Sequence, residues 1–567
     1  MKEGRLSNIW FLNVGVLGIA LLLVAKLGYL EIMKGELYRD KADAQYLVPA
    51  ISFDRGQIFF KEKDGRNIIA ATVVPDYTLA IDPSKIGNVA ALADKLSPIV
   101  TFDRADFLVR AAHTGSQYEE VAKHLSEKEI EAIQSLKAPG IILKKNKKRF
   151  YPGEKTAAQV LGFVGSNGDT VSGRYGLERY YDEVLTRDAN NSSTSFFADL
   201  FLRPGAALLS KSARQGDLVT TIEPTVQGFL ERVIDQDILK KYDAVSASGI
   251  IMDPTTGAIY AMGTAPTFDP NNFSKEKNVS VFSNPLVDGV YEMGSIVKPL
   301  TMAAGLDAGI VTPETTYDDK GFLVINKKKI SNYDGKGRGV VPMQIILNDS
   351  LNTGAVFVQN RLGKDRFREY FKSFGLGEET GIDLPNESVG NIKNLESPRD
   401  IEYATASFGQ GISMTPIATI RALAALGNGG VLVTPHIVSK TEYSFAPARD
   451  FIPTTERRVL KKETSVAISK MLTTVVDKAL MGGTLKMEHY SIAAKTGTAQ
   501  LVEDGGYSAV DYLHTFFGYF PSNNPRFIIF LAVKSPKGEK YASHTLSLPF
   551  MQITKFLINY YNIPPDR

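Results

Sequence analysis

Two hydroxyls, two lysines and an amide stand at spacings that suit acyl transfer. In "MGSIVKPLT", residues 293–301, Ser295 and Lys298 lie three apart at the head of an apolar run, and Pro299 follows at once. The first N–H groups of a helix have no internal partner, so Pro299 is harmless there, and the pattern predicts a buried helix from about Ile296 to a stop at Gly309. Ser295 then sits at the N-terminal end, where free amides favour developing negative charge, with Lys298 one turn on along the same face. A lysine acts as a base only when neutral, so burial or a second cation must lower its pKa. Ser350 and Asn352 in "NDSLNTGA" offer a second hydroxyl and an amide; Lys495, Thr496, Gly497 and Thr498 in "IAAKTGTAQ" offer the second cation and two more hydroxyls on a predicted strand. The short patterns are weak alone, since Ser274 and Lys277 repeat the first in a polar loop and Ser522 and Asn524 repeat the second in a turn.

The chain that must position these groups has 567 residues, too many for one ordinary domain. Lysine plus arginine (65) nearly balances aspartate plus glutamate (62), and a net charge of +3 gives no case for a nucleic-acid partner. The run "KKNKKR" at 144–149 has no interleaved aromatics and reads as a solvated strand or loop face. With no cysteine, disulfides, thiol catalysis and thiolate metal sites are excluded. His113, His124, His436, His489, His514 and His544 show no metal-like spacing, so neither metal nor cofactor is expected and no histidine triad is needed.

Residues 9–30, "IWFLNVGVLGIALLLVAKLGYL", are the strongly apolar stretch. As a helix they reach about 33 Å, enough for a hydrocarbon core of about 30 Å, and no cleavage site suggests a removed signal. Lys2 and Arg5 favour an N-terminus inside, a weak vote given Lys34, Arg39 and Lys41 beyond the span. The expected order is a cytoplasmic tail (1–8), a transmembrane anchor (9–30), an elongated mixed α+β pedestal (31–215) and a catalytic domain (216–567) outside the cytoplasmic membrane. In the pedestal, 77–82 reads as a strand, 88–96 and 126–136 as helices, the last opening on the capping-box pair Ser126 and Glu129. Beyond "ARQGDLVTTIEP" (213–224), a turn, a strand and the start of a helix, come apolar residues at helical spacing from Val226. Hairpins follow at 247–264 and 514–535, then a last helix from about 547. The fold class is α/β (α+β), with antiparallel strands flanked by helices.

The ordered trio SxxK, SxN and KTG is a signature of penicillin-binding proteins and serine β-lactamases. The likeness extends to "RGQI" (55–58), "RFYPGEKTAAQVLGFVG" (149–165), "GRYGLERYYDEVL" (173–185), "FGQGISMTP" (408–416) and "GYFPSNNPRF" (518–527), so the chain resembles the class B penicillin-binding proteins, monofunctional transpeptidases that cross-link peptidoglycan, over nearly its whole length. The resemblance implies that Ser295 attacks the D-Ala-D-Ala carbonyl of a stem peptide and releases D-alanine, that Lys298 takes the serine proton, and that Ser350 relays a proton to the leaving amine. Asn352 would hold Lys298 and the substrate amide, Lys495 would attract the substrate carboxylate and depress Lys298, and Thr496 and Thr498 would bond near that carboxylate. Gly497 would admit the peptide, and the amides of Ser295 and Thr498 would form the oxyanion hole. It implies lipid-linked glycan strands as substrate, acylation by β-lactams, a pedestal that docks a SEDS-family glycosyltransferase, and His514 and Thr515 opening a strand near the cleft. "TIEP" at 221–224 departs from the usual Thr-Ile-Asp, and "FFKEKDG" from Asp-Arg-Asn-Gly. The competing readings are a D,D-carboxypeptidase or serine β-lactamase-like hydrolase, and a catalytically inactive membrane scaffold. Elongation and division roles are not distinguished by these motifs.

Overall fold

A computed structural model describes residues 54–567 except 168–169, 188–213, 445, 454–456 and 504–505, together with Lys26. The expected anchor at 9–30 otherwise lies outside the described residues, and among those described no helix is long and apolar enough to cross a membrane. By compactness the described chain forms two units, a small one at Asp76–Asn146 and a large one made of Asp54–Pro75 and Lys147–Arg567.

The small unit is closed by its own core of Leu79, Ile81, Leu92, Leu96, Phe107 and Ile133. Its helices begin where the sequence supplies caps. Asn88 Oδ1 accepts from Ala91 N at 3.0 Å to open Val89–Leu96, and Ser126 with Glu129 forms the reciprocal capping box of Glu127–Ser135. The basic run lies on the strand Ile141–Phe150, and Lys145 and Lys147 face solvent as the alternation predicts. Arg149 does not: two residues on from Lys147, it turns inward against the alternation.

That inward turn joins three of the motifs in the large unit. Glu178 is fully buried, and its carboxylate accepts from Arg55 Nε at 2.5 Å, Arg149 Nε at 2.6 Å and Tyr151 Oη at 3.2 Å. A buried carboxylate is tolerable when its oxygens are paired or hydrogen-bonded, as these are. Nearby, the strand Ile58–Lys61 runs parallel to Gly216–Thr220, which pairs in turn with Val438–Tyr443, so residues on both sides of position 215 share one sheet. Compactness therefore follows lines other than the boundary expected there. Glu223 of "TIEP" caps the helix Pro224–Arg232, accepting from Val226 N at 2.7 Å, so the longer side chain still does a capping residue's work.

The catalytic half is built on a five-stranded antiparallel sheet. Its strands are β1 (Ser246–Met252), β2 (Ile259–Ala265), β3 (Ala493–Glu503), β4 (Gly506–Phe520) and β5 (Phe527–Lys534), in the order β3-β4-β5-β1-β2. The hairpins β1–β2 and β4–β5 are those the sequence predicts. Helix α1 (Lys298–Asp307) packs against α2 (Asn352–Leu362) and α3 (Lys462–Thr474), while α4 (Ala542–Tyr560) lies along β4. α4 begins at Ala542, ahead of the expected 547, and carries Pro549 within it. β3 is an edge strand, which leaves one side of its backbone free to face a partner.

Candidate active site

The nucleophile turn is wound more tightly than the sequence suggests. A 3₁₀ turn, Gly294–Val297, leads directly into α1, so the α-helix starts at Lys298 and Pro299 is its second residue. Side chains three apart eclipse in such a turn, which sets Ser295 and Lys298 one above the other. α1 stops as expected, with Gly309 at φ +69° beyond its end. Ser295 is half-buried, and its hydroxyl makes no hydrogen bond to a described residue.

Behind the turn the chain is glycine-tight. Gly294 has φ +61°, its N–H donates to Gly409 O at 3.2 Å, and a Cβ on Gly409 would fall 2.3 Å from Gly294 O. This close approach accounts physically for the "FGQG" portion of one motif. Glu292 adds a tie the sequence reading missed: its carboxylate accepts from Gly411 N at 2.9 Å and from Tyr507 Oη at 3.1 Å, and burial holds it above the usual carboxylate range.

Lys298 and Lys495 are only 1% and 2% exposed. They converge on one oxygen, with Lys298 Nζ 3.1 Å and Lys495 Nζ 3.0 Å from Ser350 Oγ. Lys298 also donates to Ser350 O at 2.5 Å and Lys495 to Thr496 O at 3.0 Å; neither meets an acidic side chain among the described residues. Burial first, and then the charge of Lys495, holds Lys298 well below the ordinary lysine range, and burial brings Lys495 down to about 7. A hydroxyl oxygen has two lone pairs and one proton, so two lysine donors leave the Ser350 O–H free to donate elsewhere. Ser350 itself sits at φ +54°, a left-handed conformation uncommon for a residue with a Cβ.

Asn352 opens α2, but its Nδ2 donates to Ser331 O at 2.9 Å; the expected bond to Lys298 is not formed among the described residues. On β3, Lys495 and Gly497 alternate with half-exposed Thr496 and Thr498. Thr498 Oγ1 accepts from Ala542 N at 3.1 Å and keeps its proton for another acceptor. A Cβ on Gly497 would lie 2.4 Å from Thr515 Oγ1 and 2.8 Å from Met293 O, so only glycine lets β3 approach the nucleophile turn. Thr515 fastens that contact, donating to Met293 O at 3.1 Å. His514 takes no part. It is buried on the other face of β4, bonded to Thr545 Oγ1 at 2.9 Å and Lys540 O at 3.1 Å, and burial lowers it to about 4.

Residues 247–553 match the penicillin binding protein transpeptidase domain, and residues 51–194 match the penicillin-binding protein dimerisation domain. The chain belongs to the class B penicillin-binding proteins. Among its relatives is stage V sporulation protein D of Bacillus subtilis (strain 168), 29% identical over 96% of this chain and 85% of the relative. The peptidoglycan D,D-transpeptidase FtsI of Escherichia coli (strain K12) is 26% identical over 96% of this chain and 90% of its own. The crystal structure of penicillin binding protein 3 of Mycobacterium tuberculosis complexed with aztreonam shares the fold, with a TM-score of 0.68 at 22% identity over 91% of this penicillin-binding protein and 98% of that chain.

Proposed function

We infer that this penicillin-binding protein is a peptidoglycan D,D-transpeptidase of the serine type, acylated by β-lactams. The observation that carries the residue roles is the meeting of two buried lysines on Ser350 Oγ, beside the turn that holds Ser295. Ser295 Oγ attacks the carbonyl between the terminal D-alanines while neutral Lys298 takes its proton. The Ser295 and Thr498 amides receive the oxyanion, a contribution of about 3 kcal/mol in comparable sites. The Ser350 O–H, left free by its lysine partners, passes a proton to the leaving nitrogen. The C–N bond breaks, D-alanine departs and an ester on Ser295 remains, which an acceptor amine of a neighbouring stem peptide resolves by aminolysis. Lys495, with Thr496 and Thr498, binds the substrate carboxylate. Gly497 admits the peptide to the strand edge, and Asn352, held through Ser331, holds the substrate amide.

The hydrolase and scaffold readings are not favoured, because the family match spans both a dimerisation and a transpeptidase domain and the lysine pair is intact. Replacing Lys495 with alanine is expected to cut cross-linking of purified lipid-linked substrate by about tenfold or more. Near-wild-type cross-linking would overturn the assignment. For topology we propose the tail at 1–8, the single anchor at 9–30 with its N-terminus inside, the pedestal at 31–215 and the transpeptidase at 216–567 on the outer side of the cytoplasmic membrane. The length and apolarity of 9–30 support this. By family likeness the pedestal docks a SEDS-family glycosyltransferase. Deleting 31–215 should then abolish co-purification of that enzyme, and retention would refute the docking.

A further inference from the structure

Asn352 lies between two neighbours that share one anchor. Asp319 ends the strand Thr316–Asp319 and is 2% exposed, yet no lysine or arginine side chain pairs with it among the described residues. Its carboxylate is satisfied by neutral donors instead. Oδ1 accepts from Gly321 N at 3.0 Å, Asn332 Nδ2 at 3.1 Å and Thr353 Oγ1 at 2.8 Å, and Oδ2 accepts from Asn332 Nδ2 at 3.0 Å and Arg338 N at 3.0 Å. Asn332 and Thr353 also meet directly, with Asn332 Oδ1 accepting from Thr353 N at 3.3 Å and lying 3.1 Å from Thr353 Oγ1, whose proton goes to the nearer Asp319.

The partners of this carboxylate flank Asn352 on both sides. Thr353 follows Asn352 in α2, so its grip fixes the backbone at the head of that helix. Asn332 follows Ser331, whose carbonyl takes the Asn352 side-chain amide at 2.9 Å. α2 has no side-chain cap from the residue that precedes it, and Asn332 Oδ1 on Thr353 N supplies one from outside, with the Asp319 charge at the end of the helix where an anion is favoured. Ser350, in its left-handed conformation just before the helix, keeps that conformation only while its surroundings hold it.

We propose that Asp319 is a positioning residue of the transpeptidase, acting through Thr353 and Asn332 to hold Ser350 against the two lysines and Asn352 on its Ser331 acceptor. The inference rests on the reaction proposed above, since it gives Asp319 a purpose only if Ser350 carries the proton. Asp319 touches neither substrate nor nucleophile. Its loss loosens the proton relay while leaving Lys298 and Lys495 in their own buried surroundings.

The test uses the full-length protein and a fluorescent penicillin, with acylation resolved into non-covalent binding (Ks) and bond formation (k2) between pH 6 and 9. Thr353→Val keeps the shape of Thr353 and removes its hydroxyl; it should lower k2 by about tenfold or more with Ks changed less than about threefold. Thr353→Ser should return k2 to within about threefold of wild type. Asp319→Asn, which disturbs both arms, should lower k2 at least as far as Thr353→Val, and the double variant should be no slower than the slower single one, because the Thr353 arm already depends on Asp319. A folded Thr353→Val protein with wild-type k2, no recovery in Thr353→Ser, or additive effects in the double variant would each overturn the proposal. If Asp319→Asn does not fold, the serine and valine pair decides it. Failure of the wild-type protein to acylate would instead sink the proposed reaction itself, so the two failures are distinguishable.

Discussion

Replacing Lys495 with methionine removes a charge while keeping an unbranched apolar stem, and it should move the pH dependence of acylation in a calculable direction. Because both lysine nitrogens bond the same Ser350 oxygen, they stand no more than about 6 Å apart. At an effective dielectric of about 20 their repulsion is then at least about 3 kcal/mol. Like charge disfavours the protonated form, so its removal raises the pKa of Lys298. Burial, the larger cause of the depression, remains, and Lys298 stays below the ordinary lysine range. The acid limb of k2/Ks against pH should therefore shift upward. An alkaline limb set by Lys495, which burial brings to about 7, should disappear with the residue. The assay is the rate of labelling by a fluorescent penicillin from pH 5 to 10, with circular dichroism to show that the variant is folded. An acid limb that stays in place, or moves to lower pH, would refute the electrostatic coupling. The titrations belong to the pair, so the limbs report its macroscopic steps.

Two further consequences are open to measurement. Gly497→Ala forces a Cβ to within 2.8 Å of Met293 O and 2.4 Å of Thr515 Oγ1, so β3 must retreat from the nucleophile turn. Acylation should fall by about tenfold or more and Tm by several degrees, and a variant labelled at the wild-type rate would contradict the packing argument. Stability should also depend on pH through Lys495, which loses its proton near 7 when folded and near 10.5 when unfolded. Across that window the unfolded state binds more protons, so stability rises as pH rises. In denaturant titrations at pH 7 and 9, wild type should therefore gain stability relative to Lys495→Met, and an equal pH response in the two proteins would argue against a buried, depressed Lys495.

Much of the site was legible because its parts are local. The proline that marks the head of α1, Gly309 beyond its end and the Ser126–Glu129 box each depend on neighbours within a turn, and the hairpins β1–β2 and β4–β5 join strands adjacent in sequence. What stayed hidden depends on distant partners. Nothing near "KKNKKR" marks Arg149 as the residue that meets Glu178 and Gly56, and nothing near Asn352 names Ser331 as its acceptor. The pairing of β5 with β1 joins residues 527–534 to 246–252, a register fixed by the whole sheet rather than by either segment. The left-handed Ser350 had no sequence signal either, since glycine, the usual residue for that conformation, is absent there.

The central claim is that Ser295 becomes an ester, and intact-mass spectrometry after exposure to ampicillin tests it most directly. The wild-type protein should gain the mass of one drug molecule, and Ser295→Ala should gain none. An unchanged wild-type mass, or an adduct that persists in Ser295→Ala, would contradict the account.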